Sequence, residues 1–305
     1  GFEGVITTDS ITMGALMEKY GVGKACAKAI EAGCDLALNK TEDEFRDQGF
    51  CELKRFVEDG IIKEEQLNAS VKRILRMKYN IGMFDTNGIV DADKAGEPIR
   101  DKEVIRIARK AASDCTMIIR DEDNILPLDK SQKIMVIEQQ ILSGYAGNDV
   151  YCHDKIFNEM MYEQSMNIIG LDTKFKASAE DEKFIFGQLA ENEDIDVIVV
   201  TNYYWRLCPS NNTALIIKLI DKGYKVVVVT NCPYELGSVP QAKTVVCNYA
   251  ATPESSRAAA NLLFGKAESK GVWHLKNFEK PVKSKSLDGE KVLEVKENEV
   301  TGVVF

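Results

Sequence analysis

A single acid follows a short apolar run near the start of the chain. Residues 5–9 read Val-Ile-Thr-Thr-Asp, a β-branched stretch that predicts a buried strand leading straight into Asp9. The residues that follow, Ser10 and Thr12 among them, are small or carry hydroxyl groups. Because parallel α/β folds usually place chemistry at the carboxyl ends of strands, Asp9 is a candidate nucleophile, base or metal ligand. A second interpretation stays open, in which Asp9 caps a turn through its side-chain oxygen.

The elements around Asp9 form a βαβ pattern. Apolar residues recur at helical spacing from Val22 to Ile30, Gly33 predicts the end of this helix, and residues 34–38 read as another buried strand. Two strands joined by one helix should be parallel neighbours. Two strands are too few for an α/β domain, so residues 1–85 resemble the last quarter of a barrel.

Two further helices are predicted before residue 85. The first covers residues 42–58, and the second runs from about Leu67 and ends at Gly82. The second helix carries several basic residues near its end, which suit the helix dipole and predict a solvated face: Lys72, Arg73, Arg76 and Lys78.

The second half of the chain alternates strands and helices. Residues 86–100 lose periodicity and collect Asp, Gly and Pro, which predicts a linker. Strands are predicted at 116–119, 133–137, 197–201, 226–230 and 244–249, and helices at 102–114, 154–164, 180–192, 213–222 and 253–264. Apolar strands separated by helices predict a mostly parallel sheet covered on both faces, an α/β/α sandwich over residues 101–280. Residues 281–305 form a Lys/Glu-rich extension.

Composition excludes several classes of protein. The chain has 305 residues, 45% of them apolar and 29% charged, which excludes disordered and collagen-like classes. The net charge of -9 argues against a nucleic-acid partner. The sequence contains no run of 18 apolar residues, so no membrane span is predicted.

The eight cysteines are scattered without a CxxC pair, which predicts free thiols and a cytoplasmic, reducing compartment. Cys26, Cys115 and Cys247 are predicted on core faces. Because the sequence starts without Met, a signal peptide or lipid anchor stays open.

The opening stretch GFEGVITTDSITMGAL resembles the nucleophile-bearing segment of glycoside hydrolase family 3, in which a GF-x-G-[VI]-[VI] strand leads to [ST]-D. The D-x-[LIM]-[SNT]-M segment of its β-N-acetylglucosaminidase branch is matched by residues 9–13. The glucosidase branch usually places Trp directly after the Asp, whereas this chain has Ser10. The resemblance therefore favours the N-acetylhexosaminidase branch.

Further segments are similar to motifs of the same family, in the same order along the chain. Residues 29–35 fit A-[IL]-x-A-G-x-D, and residues 70–78 fit S-V-x-R-I-L-x-x-K. Residues 231–236 resemble N-P-Y-[DE]-L with Cys232 inserted before the Pro, residues 249–255 fit Y-x-x-[ST]-P-E-S, and residues 263–265 read L-F-G.

This resemblance implies the end of a (β/α)8 barrel followed by an α/β sandwich domain. It implies a retaining hydrolase that releases terminal N-acetylglucosamine from peptidoglycan- or chitin-derived sugars, with Asp9 as nucleophile and Met13 in substrate binding. The acid/base, a His in this branch, and the rest of the barrel would lie upstream, so the chain by itself should be nearly inactive. No cofactor and no metal are expected. The expected partners are a carbohydrate and the missing barrel segment.

Two other functions remain open. Some relatives with these motifs are phosphorylases, in which phosphate replaces water. Alternatively, the chain serves as a non-catalytic carbohydrate-binding or interaction domain. The sequence leaves the oligomeric state open.

Other conspicuous residues favour structural roles. His153 has Asp154 beside it, as a general acid/base pair would, but a helix start or surface position is the favoured interpretation. Packing is favoured for His274. The aromatic run 203–205 suits a sugar platform or, as the favoured alternative, packing of a loop.

Overall fold

Residues 2–39, 43–99, 101–140, 156–204, 212–232 and 241–271 are described by a computed structural model of the protein. The chain divides into two units, Gly1–Gly96 and Glu97–Phe305. The division falls inside residues 86–100. Residues 281–305, predicted as an extension, lie outside the described residues.

Unit 1 begins with the βαβ pattern that the sequence predicts. Its elements are β1 (Thr7–Ser10), α1 (Gly14–Glu31), β2 (Leu36–Leu38), α2 (Asp43–Glu58), α3 (Glu64–Asn80) and α4 (Met83–Thr86). Strands β1 and β2 pair in parallel, as expected for two strands joined by one helix.

Helix α1 is longer than its periodicity predicts and is interrupted. It begins at Gly14 rather than near Val22, and Gly21 breaks it with a φ of 69°. All four buried residues of α1 lie after this break, which explains why the apolar spacing marked only the second half. Gly33, with a φ of 105°, follows the end of the helix as predicted.

Two small apolar clusters hold unit 1 together. One joins α1 to the end of α2 through buried Ala27, Ile30, Phe56 and Ile62. The other packs Ile11 against α1 and is completed by the buried side chains of Val22 and Ala25. Burial of Ile11, which is 2% exposed, fixes the turn that follows β1.

The stretch predicted as a linker contains helical turns. A 3₁₀ turn covers Ala92–Lys94, and α5 covers Gly96–Ile99. The side chain of Asp91 accepts a hydrogen bond from the Asp93 amide, a local cap that the loss of apolar periodicity did not reveal.

Unit 2 continues with alternating helices and strands. These elements are α6 (Lys102–Cys115), β3 (Met117–Asp121), β4 (Ile134–Gln139), α7 (Ile156–Tyr162), β5 (Ile168–Thr173), α8 (Ala179–Glu191), β6 (Val197–Thr201), α9 (Thr213–Asp221), β7 (Val226–Thr230), β8 (Thr244–Cys247) and α10 (Pro253–Leu263).

The strands of unit 2 form one sheet in the described residues, in the order β3-β8-β7-β6-β4-β5. Every neighbouring pair is parallel except β3 and β8 at one edge. The α/β class and the mostly parallel sheet are therefore confirmed.

Apolar cores lie on both faces of this sheet. Alternate residues of β4 divide between them, since Ile134 and Val136 join the cluster that includes α7 and α10, whereas Met135 and Ile137 join the cluster that includes α8 and α9. A strand buried on both faces reads as a continuous apolar run, which is why the sequence located it.

Strand β5 was missing from the predicted strands because Gly170 interrupts its apolar run. The glycine is required by close packing: a Cβ there would meet the Tyr162 hydroxyl and the Asn158 side chain, both from α7. The Gly170 amide donates to that hydroxyl at 3.0 Å. A residue that argues against a strand in sequence thus marks a close approach between a helix and a strand.

Glu138 is a buried acid near the carboxyl end of β4. Its two carboxylate oxygens accept hydrogen bonds from the amides of Phe157 and Asn158, both at 2.8 Å, at the start of α7. Burial raises the pKa of Glu138 to about 7, the two amide hydrogen bonds oppose this shift, and the charges of Asp172 and Glu159 add to it.

The raised pKa predicts that the protein is less stable at neutral than at mildly acidic pH. Between pH 4.5 and 7 the folded chain binds a proton at Glu138 that the unfolded chain has lost, so stability falls as pH rises. The unfolding free energy of Glu138→Gln relative to wild type should rise by about 3 kcal/mol between pH 5 and pH 8 in urea titrations. Glu193→Gln, at an exposed acid, should show no such trend. A Glu138→Gln difference that is constant with pH would contradict the assignment.

Candidate active site

Asp9 lies at the carboxyl end of β1 and is exposed. Its Oδ1 accepts a hydrogen bond from the Ser10 amide at 2.7 Å. Within the described residues, no other hydrogen bond reaches this carboxylate. One oxygen is thus held by the backbone, as in a turn cap, while the accessible side chain keeps a second oxygen for chemistry.

The two hydroxyls after Asp9 form a pair. The Ser10 and Thr12 hydroxyl oxygens lie 2.7 Å apart, and the Thr12 amide donates to Ser10 Oγ at 3.4 Å. Ser10 is buried, so its side chain shapes the turn rather than projecting from it.

Met13 directly precedes α1 and is 48% exposed. Its amide donates to the Ser10 carbonyl at 3.3 Å, which keeps Met13 on the same turn as Asp9. An exposed thioether at this turn suits contact with a ligand. Its role in substrate binding remains a prediction.

A buried ion pair fixes the strand that carries Asp9. The Asp35 carboxylate, which directly precedes β2, accepts the Ile6 amide at 2.9 Å. From α3, Arg73 Nη2 reaches Asp35 Oδ1 at 2.6 Å, and its Nε lies 3.1 Å from both carboxylate oxygens. The same guanidinium donates to the Ser70 hydroxyl at 3.2 Å. One side chain therefore joins α3, the start of β2 and the residue before β1.

The charge of Asp35 is strongly favoured in this position. The hydrogen bond from Arg73 holds the pKa of Asp35 well below its usual range, against the opposing effect of burial. The Asp35 side chain is fully buried and Arg73 is about one-third exposed. The prediction that the basic residues of α3 form a solvated face is therefore wrong for Arg73. The signal was an acid after Gly33 and an Arg three residues after Ser70, in the two segments that match family motifs.

Three further candidates, His153, His274 and Trp205, lie outside the described residues. Tyr203 is 2% exposed, and burial raises the pKa of its hydroxyl, which fits the packing interpretation. Across the described part of the chain, no group of three potential metal ligands is found.

No disulfide joins the cysteines within the described ranges, which are Cys26, Cys34, Cys51, Cys115, Cys232 and Cys247. Burial raises the pKa of Cys247 to about 12. Cys115 is exposed, so its predicted core position is wrong, since it is the last residue of α6. The helices of the described residues include none with the length and apolarity required to cross a bilayer.

An α/β protein with an exposed carboxylate at the end of a parallel strand has the kind of site that glycoside hydrolases use. Residues 1–77 match the glycosyl hydrolase family 3 N-terminal domain, which assigns this segment of the chain to glycoside hydrolase family 3. The resemblance seen in the motifs is thereby confirmed at the level of the family.

The relatives include enzymes named for two different sugars. A β-N-acetylglucosaminidase/β-glucosidase of Cellulomonas fimi is 25% identical over 89% of this chain and 49% of its own length. A probable β-glucosidase C of Aspergillus oryzae is 30% identical over 44% of this chain and 22% of its own length. The chain therefore spans about half or less of these relatives.

A solved family 3 β-N-acetylglucosaminidase from Paenibacillus shares the fold. It aligns with a TM-score of 0.64 and 25% identity, over 89% of this chain and 51% of the solved one. The alignment extends through both units, beyond the 77 residues that match the family's N-terminal domain.

Removing the cation of the buried pair should destabilise unit 1. Arg73→Met leaves the Asp35 carboxylate buried without its partner, which typically costs about 3 kcal/mol. We expect the free energy of unfolding to fall by this amount in urea titrations in which the amide exchange of residues 2–39 is the readout. Lys72→Met, at the neighbouring exposed cation, should have little effect.

The double variant Asp35→Asn/Arg73→Met tests whether the lost stability comes from the charge that Arg73→Met leaves unpaired. With both charges removed, part of the lost stability should return. Equal stability of Arg73→Met and Lys72→Met would show that the buried pair does not hold this unit.

Proposed function

We propose that the whole protein is a retaining β-N-acetylglucosaminidase in which Asp9 is the nucleophile. The observation that carries the proposal is the exposed Asp9 carboxylate at the carboxyl end of β1, with one oxygen held by the Ser10 amide at 2.7 Å. Ser10, where the glucosidase branch usually has Trp, supports the N-acetylglucosaminide as substrate.

The proposed reaction has two displacements. An oxygen of Asp9 attacks the anomeric carbon, the bond from this carbon to the leaving oxygen breaks, and an acid elsewhere in the protein protonates that oxygen. Water, deprotonated by the same group, then attacks the anomeric carbon and releases Asp9 with the original configuration retained. Asp9 needs an accessible oxygen for the first step, which its exposure supplies.

The proposed architecture places residues 1–85 at the end of a (β/α)8 barrel and unit 2 in an α/β/α sandwich. Apolar side chains in β2 and directly before β1 are exposed in this chain: Ile6 by 42%, Leu36 by 41% and Leu38 by 51%. Further strands and helices supplied by an upstream barrel segment would cover such a surface. That segment is the partner we propose, together with the carbohydrate substrate.

The chain without that segment should be nearly inactive. The acid that protonates the leaving oxygen is expected upstream, and loss of one half of an acid and nucleophile pair removes orders of magnitude in rate. The source glycans we propose are peptidoglycan- or chitin-derived, and the proposed compartment is the cytoplasm.

The nucleophile assignment is tested in the protein extended by its upstream coding sequence. Hydrolysis of 4-nitrophenyl N-acetyl-β-D-glucosaminide should fall at least about 1,000-fold in Asp9→Asn, because an amide cannot form the glycosyl ester. In Asp9→Gly, azide should restore turnover and give the α-glycosyl azide, since it attacks from the face that the carboxylate leaves empty.

The matched control is Glu3→Gln, an exposed carboxylate six residues before Asp9. It should retain wild-type turnover because it lies before the strand. Wild-type turnover in Asp9→Asn would remove Asp9 from the mechanism, whatever the substrate.

Product analysis separates hydrolysis from the alternatives. With phosphate in excess, the hydrolase should release N-acetylglucosamine without forming a sugar 1-phosphate, and it should turn over the N-acetylglucosaminide faster than the matching glucoside. A sugar 1-phosphate would show a phosphorylase instead. Absence of turnover, with N-acetylglucosamine bound in calorimetric titrations of the present chain, would favour a carbohydrate-binding role.

A further inference from the structure

The strand that carries Asp9 is irregular at that residue. Thr7 pairs with Leu36 and Ser10 pairs with Leu38, so three steps along β1 correspond to two steps along β2. Strand β1 therefore contains one extra residue between Thr7 and Ser10, in the segment formed by Thr8 and Asp9. Such β-bulges are rare between parallel strands and are enriched at barrel rims and next to active sites, where they change the aim of a side chain.

The bulge removes Asp9 from a paired position. In a regular register that starts from Thr7 and Leu36, Asp9 would stand opposite Leu38. Ser10 takes that position instead and is buried, while Asp9 is left exposed with its Oδ1 on the Ser10 amide. The extra residue thus leaves Asp9 outside the paired positions, directly before Ser10, which takes the place opposite Leu38.

The Thr8 side chain bridges the irregular segment. Its Oγ1 accepts a hydrogen bond from the Leu38 amide at 2.9 Å, so a hydroxyl on β1 binds the backbone of β2 beside the bulge. On either side, backbone amides are held in turn: Ile6 donates to the Asp35 carboxylate, and Ile11 donates to the Leu38 carbonyl at 2.9 Å. Thr8 thus makes a side-chain contact across the two strands directly before Asp9.

We propose that Thr8 is a positioning residue for Asp9, because its hydroxyl holds the Leu38 amide and so maintains the irregular backbone on which the carboxylate is carried. This inference rests on the proposed role of Asp9 as nucleophile. The proposed role explains why a residue with a hydroxyl group precedes Asp9. Valine has the same shape as threonine and suits a strand equally well, but it offers the Leu38 amide no acceptor.

Three variants test this role in the present chain. In Thr8→Val, hydrogen exchange of the Leu38 amide should become about tenfold faster, since one hydrogen bond is lost. Thr8→Ser keeps the acceptor and should stay close to wild type. The control is Thr7→Val, because the exposed Thr7 hydroxyl donates to the Thr8 carbonyl within β1 and does not bind β2. Unchanged protection of α3 and of the unit 2 sheet will show that each variant is folded.

The same variants in the extended protein test the consequence for Asp9. Thr8→Val should lower kcat at least about tenfold with little change in KM, because Asp9 acts on the transition state, and Thr8→Ser should restore kcat. Unchanged Leu38 exchange in Thr8→Val would overturn the proposal. So would faster exchange with an unchanged kcat.

Asp9→Asn, measured in parallel, tests the proposed function separately. If it remains active, Asp9 is not the nucleophile and the positioning role falls with it, while Leu38 exchange still reports whether Thr8 holds the bulge.

Discussion

A buried carboxylate needs a cation and hydrogen-bond donors in place of water. In unit 1 the groups that meet this need come from elements that are distant in sequence, so the carboxylate holds them together. Asp35 takes its cation from Arg73 on α3 and a donor from the Ile6 amide before β1. Three elements distant in sequence are thereby held to a single group. The strand that carries Asp9 is fixed at its start by this charge, and after its end it is fixed by the buried side chain of Ile11. Asp9 therefore stands between two restrained points.

The fold of unit 2 was largely predictable because its strands are buried on both faces. Val197–Thr201 and Val226–Thr230 were predicted with the bounds the structure has, since each is a continuous apolar run ended by a polar residue. Strand β5 was missed because Gly170 makes room for Tyr162, a contact between residues of different elements. The first turns of α1 were missed because none of their residues is fully buried. Prediction failed where tertiary contacts, rather than local pattern, decide the structure.

The features of the candidate site were likewise predictable only where they depend on local sequence. Asp9 could be identified from its residue type, its place after an apolar run and the surrounding motif. The irregular register at Thr8 could not, because it depends on pairing with Leu38, 30 residues later in the chain. The partnership of Asp35 and Arg73 was also hidden, since helical periodicity placed the Arg among solvated cations. The sequence thus indicates a candidate reactive group, whereas the structure shows the contacts that hold it.

The break at Gly21 gives α1 two mechanically different halves. Val22, Ala25, Ala27 and Ile30 bury the second half, while the first half, which begins directly after the Asp9 turn, buries none of its residues fully. Segments with few buried contacts open locally at a lower free energy than the packed elements beside them. Gly14–Tyr20, where Leu16, Met17 and Tyr20 are only partly buried, is accordingly expected to open at a lower free energy than the second half, so α1 can loosen beside the Asp9 turn while its anchored half stays packed.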